Sequence, residues 1–157
     1  MNDLEIQLRI WEKTVDVQQH FNTIELQIRN YALTLFTAVL AGVGYLLKEK
    51  INIEIDDFLI PASAMASLIG IVIMGSFYFM DKYWYHKLLK GSVNHSMDIE
   101  KALSTAHPNI VLATKIKDSS PINFFGIMVR SDGKFRFFYY PLILTFVILY
   151  IILLKWA

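Results

Sequence analysis

Apolar residues follow two regimes along this chain. Over residues 1–30 they recur at helical spacing, first as Leu4, Leu8, Trp11 and Val15, then as Val17, Phe21, Ile24, Ile28 and Tyr31. Steps of three or four mark one face of an α-helix. The two sets are offset by two residues, which breaks the stripe near Asp16–Gln19. Beyond Asn30 three stretches are apolar all round: about Tyr31–Leu47, Phe58–Met80 and Phe137–Leu154, none with a charged residue. Each approaches the roughly 20 residues that cross a hydrocarbon core. Leu4–Asn30 holds no proline or glycine, so the arm and first span read as one helix from about Leu4 to Leu47. At 1.5 Å per residue it is roughly 65 Å long, more than a bilayer is thick. The first apolar stretch follows some 30 residues that are not a short basic leader, which makes it a retained span.

The pattern predicts an all-α membrane protein with three transmembrane helices per protomer. Its parts are an amphipathic arm (1–30), a first span (31–47), a short loop (48–57), a second span (58–80), a connector (81–136) and a third span (137–154). The connector opens as DKYWYHKLLKGSVNHSMDIEKALST, which continues the second span as a helix with Gly91 as an interruption. Pro108 ends it by about Ala106, because the residue before a proline disfavours helix. Ile110–Ile116 reads as a short helix or strand, and Ile122–Val129 as a strand or an apolar plug. Asp118–Pro121 and Ser131–Gly133 carry turn chemistry. Pro141 falls in the first turn of span three, where proline is tolerated.

Composition supports the membrane class. Hydrophobic residues are 55% and charged residues 18% of 157, against about 45–50% and about 25% in soluble domains. The absence of cysteine excludes disulfide scaffolds, thiolate metal sites and cysteine nucleophiles. Net charge is +1, so charge placement matters more than its sum. The arm and connector, which three spans put on one side, carry 12 of the 15 Lys and Arg. The positive-inside rule makes that side cytoplasmic, with the N-terminus inside and the C-terminus outside. The loop 48–57 is net acidic, with Glu49, Glu54, Asp56 and Asp57. Tyr31, Tyr78, Tyr83, Trp84, Tyr139, Tyr140 and Trp156 fit interfacial aromatic belts.

Small residues step by four along two spans: Thr34, Ala38 and Gly42 in the first, Ala62, Ala66 and Gly70 in the second. Such stripes let helices approach closely in lipid, within a protomer or around an oligomer axis. Span three, rich in Ile, Leu, Phe and Tyr, suits lipid contact. With no ionisable residue in the spans, an ion-coupled transporter is disfavoured. A pore is left with Thr34, Thr37, Ser63, Ser67, Ser76 or apolar lining. The connector has a net charge of +4 before its histidines. Two clusters stand out: Lys82, His86, Lys87 and Lys90 after span two, and Arg130, Lys134 and Arg136 before span three. Positive charge here serves topology and anionic lipid. Repeated around a symmetry axis, it also makes an anion site able to hold phosphates, with Tyr83, Trp84 and Tyr85 placed to stack bases. His20, His86, His95 and His107 lack metal-ligand spacing, and no catalytic or phosphate-loop motif is present. No catalytic residue, metal or cofactor is expected.

The arm DVQQHFNTIELQIRNYAL running into span one, the YHKLLKGSVNHSMDIEKAL after span two and the RSDGKFRFFY before span three carry a family resemblance. This architecture resembles the small transmembrane effectors of bacterial antiphage defence systems whose partners are nucleotidyltransferases, most of all the effector of the Hailong system. The resemblance implies a homo-oligomeric, tetrameric channel-like assembly in the inner membrane. It also implies an electropositive cytoplasmic cavity that senses a short oligodeoxyadenylate and is held closed until infection removes it. Related effectors use the opposite sign of control. The expected function is therefore a nucleotide-gated pore, not an enzyme. The alternative is a non-conducting membrane anchor that docks a cytosolic partner.

Overall fold

A computed structural model describes residues 3–55, 58–124, 127–129 and 131–155. The chain is dominated by helices. Helix α1 (Asp3–Lys48) runs unbroken for 46 residues. A short hairpin follows, β1 (Asn52–Ile55) with β2 (Phe58–Pro61), then α2 (Ala62–Phe79). A π-helical turn, Met80–Tyr85, joins α2 to α3 (His86–Leu103). Next come α4 (Leu112–Ser119), a second hairpin of β3 (Ile122–Phe124) and β4 (Ile127–Val129), and α5 (Ser131–Lys155). Three of the helices, α1, the helix running Ala62–Leu103 and α5, are long and apolar enough to cross a membrane. The residues divide into two compact units, one of 1–27 and 81–134 and one of 28–80 and 135–157.

In the second unit α1, α2 and α5 share a core. At one end Ala32 of α1 packs with Phe135 and Tyr139 of α5, flanked by Phe77 and Tyr78 of α2. At the other, Val43, Ala64 and Leu153 meet, with Val39, Ala66 and Leu149 around them. Between them Phe146 is fully buried, edge-on to Phe36 at 5.2 Å between centroids and seated over Gly70. Helix α5 therefore has an inner face of Phe135, Tyr139, Phe146 and Leu153, all buried, while Phe137, Leu144, Ile148, Ile151 and Ile152 stay exposed, so the lipid contact expected of span three belongs to its outer face. Its uniformly apolar composition hides the inner face from periodicity.

Three expectations about boundaries change. The first four residues expected in span two form β2, and the helix begins at Ala62, because Pro61 (φ −59°, ψ 128°) holds extended geometry and biases the residue before it away from helix. Ser131–Gly133 open α5 instead of forming a turn; Ser and Asp are also common at helix starts. Pro141 consequently lies well inside α5. The sequence pattern does not predict the π-helical turn or either hairpin as such, and α3 passes through Gly91 unbroken.

In the first unit, α1 meets α3 along polar contacts. The Trp11 indole N–H donates to Glu100 Oε1 (3.3 Å). The Gln18 amide donates to Ser96 Oγ (2.6 Å) and the Ser92 carbonyl (3.2 Å). Glu25 meets His86. Trp11, Gln18 and Glu25 are seven residues apart, so they share one helical face. Thr14, Gln18 and Glu25 are buried while Val17 and Tyr31 are exposed. The packing seam thus runs through the apparent break in the apolar stripe.

Candidate functional site

The first basic cluster sits where the π-helical turn passes into α3. Tyr83 and Trp84 are exposed. The Lys82 ammonium lies 4.9 Å from the Tyr83 ring centroid and the Lys87 ammonium 6.0 Å from it, both within cation–π range. Two positive charges are thereby gathered around one ring. Lys90 is exposed one turn further along α3. Trp84 and Tyr85 stack at 6.0 Å with 15° between their planes. Lysines, an exposed indole and a phenol are a suitable donor set for a phosphorylated, aromatic ligand.

His86, in the middle of this cluster, faces α1. Its Nδ1 is 3.1 Å from Glu25 Oε1, and the two side chains are only 13% and 5% exposed. His86 thus links the basic cluster to the arm. Asp81, next to Lys82, is fully buried.

The second cluster is more dispersed. Lys134 is exposed and donates to the Ser120 carbonyl at 2.9 Å. Arg136 is exposed on α5 and belongs to the other unit. Arg130 lies outside the described residues, as do Asp56, Asp57 and Trp156. Among the described residues, no three His, Asp or Glu side chains are grouped to hold a metal ion.

The two small-residue stripes have different surroundings. Ala62 and Gly70 are buried and Ala66 packs into the core. Thr34 and Ala38 are exposed, and a Cβ built on Gly42 meets nothing within 4 Å. The hydroxyls of Thr34 and Thr37 donate to the carbonyls of Asn30 and Leu33 in their own helix. Ser63 and Ser67 are buried, with Ser67 donating to the Ser63 carbonyl at 2.9 Å. These serines pack inside the chain.

No protein-family model, curated protein or solved structure matches this chain.

Sequence reasoning missed two features here. One is Glu100, buried in α3, whose carboxylate accepts the Ala113 N–H (2.7 Å), the Thr114 N–H (3.1 Å) and the Thr114 hydroxyl (2.9 Å). It caps α4, whose own N-cap, Val111, makes no side-chain cap bond. A helix starting from valine is the sequence signal that a cap comes from elsewhere. The other is a groove of about 450 Å³ beside α1, whose lining includes Ile6, Arg9, Ile10, Lys13, Val17 and His95.

Proposed function

We propose that this protein is an oligomeric effector of the bacterial inner membrane that forms a pore, controlled by a phosphorylated nucleotide or short oligodeoxyadenylate at the basic cluster of Lys82, His86, Lys87 and Lys90. The observation that carries the reading is the open small-residue stripe Thr34–Ala38–Gly42, against the filled one on α2. In lipid, where apolar surface alone drives no association, a small-residue stripe is covered best by another helix, and a second protomer supplies one. α1, α2 and α5 span the membrane with the arm and connector in the cytoplasm, where the positive-inside rule puts their charge. Four copies around an axis repeat each lysine and build a polyanion site.

Control runs through His86. Anion binding at Lys82 and Lys87 acts on the residue between them, which holds Glu25 of α1. Since α1 continues into the first span, a change at Glu25 reaches the stripe that joins protomers. The ligand shifts the pore only by its differential affinity for the open and closed states. As in the effectors it resembles, the bound signal holds the pore closed.

Replacing Lys82, Lys87 and Lys90 by Glu tests the site. Binding of a deoxyadenylate trinucleotide should fall roughly tenfold or more, the scale of one lost charge-assisted contact, with helix content and membrane insertion retained. Undiminished binding would remove the cluster from the account. Charge reversal at Arg130, Lys134 and Arg136 applies the same test to the second cluster. The groove at Ile6, Ile10 and Val17 favours the second reading, a non-conducting anchor whose arm docks a cytosolic helix; that protein would carry no current.

A further inference from the structure

The hairpin between α1 and α2 has one apolar face, with Ile53, Phe58 and Ile60, and one mixed face, with Asn52, Glu54, Leu59 and Pro61. Six of its eight strand residues are apolar or proline, and Glu54 is the one charged residue type among them. The register sets Ile53 opposite Ile60 and Glu54 opposite Leu59, so each of these pairs shares a face. Phe58 is 75% exposed, Leu59 66% and Ile53 39%. In water a lone two-stranded ribbon is marginal, and exposed apolar edges invite aggregation.

The hairpin is also fastened to both helices. Lys50 adopts a left-handed conformation (φ 52°). Its N–H donates to the Leu47 carbonyl, and the Ile51 N–H donates to the Leu46 carbonyl, each at 3.3 Å. This pattern closes the end of α1 in a Schellman turn. The Ala62 N–H then donates to the Ile51 carbonyl at 2.9 Å, which carries the ladder into the first residue of α2. No slack segment separates hairpin from helices, so its depth is set by theirs. Exposed apolar surface continues along α2 at Ile69 and Val72.

We infer that this hairpin is an interfacial lipid anchor. It seats the face of Ile53 and Phe58 against the acyl chains just below the headgroups, turns Glu54 toward the headgroups, and fixes the depth of α1 and α2. The inference rests on the membrane-spanning reading of those helices. The backbone sets its limit: each outer edge of a two-stranded ribbon leaves N–H and C=O groups unpaired, which the hydrocarbon core penalises by several kcal/mol per group. The headgroup layer hydrates these edges while accepting the side chains. A shallow position satisfies both.

The chain has no cysteine, so single cysteines at Phe58→Cys and Val72→Cys take a nitroxide label in an otherwise native protein. The labelled proteins are reconstituted in phosphatidylethanolamine–phosphatidylglycerol liposomes. Collision with oxygen, which favours lipid, is compared with collision with a water-soluble nickel chelate, using the free label as aqueous reference. The expected result is a deep label at Val72 and one about 5–10 Å below the headgroup boundary at Phe58. A water-exposed label at Phe58 with a lipid-buried label at Val72 overturns the anchor and leaves the spans standing. A water-exposed label at Val72 overturns the spanning reading and the anchor with it.

Discussion

A methyl group at Gly70 would collide with a ring. Its Cβ would lie 2.8 Å from two carbons of Phe146 and 2.9 Å from a third, inside any tolerable contact. Gly70→Ala should therefore destabilise the protomer by about 1–3 kcal/mol, the usual cost of overpacking. Thermal melting in detergent reads the loss, and adding Phe146→Leu should recover part of it, because contacting sites couple. Gly75→Ala, which meets nothing within 4 Å, is the neutral control. An unshifted melting curve for Gly70→Ala would mean that α2 and α5 do not pack here. Gly70 was legible as a close-approach position from its spacing with Ala62 and Ala66; the ring that fills it was not. Glu100 was less legible still. Its partners on α4 lie beyond Pro108, and the valine that starts α4 signals a missing cap without showing that a residue 13 positions away supplies it. Thr14, Gln18 and Glu25 hid the seam of α1 for a related reason: a reading by apolar periodicity counts them as solvent-facing, whereas hydrogen bonds make Gln18 and Glu25 good interior partners.

Among the elements, the long helices were readable because runs of uncharged apolar residues leave few alternatives. The hairpins were less so. The pattern places Asn52–Ile55 in the acidic loop 48–57 and Phe58–Pro61 in the second span, since apolar strand and apolar helix look alike over four residues. The π-helical turn has no sequence signature. The contrast between the two small-residue stripes comes from structure alone, and it directs a test of assembly. Gly42→Ile adds bulk to an open surface, so helix content and protomer stability should hold. In mild detergent the particle should become smaller by light scattering. Retention of the full particle mass would show that the Thr34–Ala38–Gly42 face does not join protomers.

Across the whole molecule, one continuous helix connects the contact with the basic cluster to the small-residue stripe. Lys82 and Lys87 gather charge around Tyr83, His86 ties that region to Glu25, and α1 runs on from Glu25 through Thr34, Ala38 and Gly42. On the proposed mechanism, the assembled protein conducts ions when no signal is bound. Membrane potential, followed with a voltage-sensitive dye in bacterial cells expressing this protein without any partner, tests it most directly. Rapid depolarisation with growth arrest, relieved by co-supply of the signal-making partner enzyme, is the predicted result. A potential that stays normal while the protein accumulates in the membrane would contradict it.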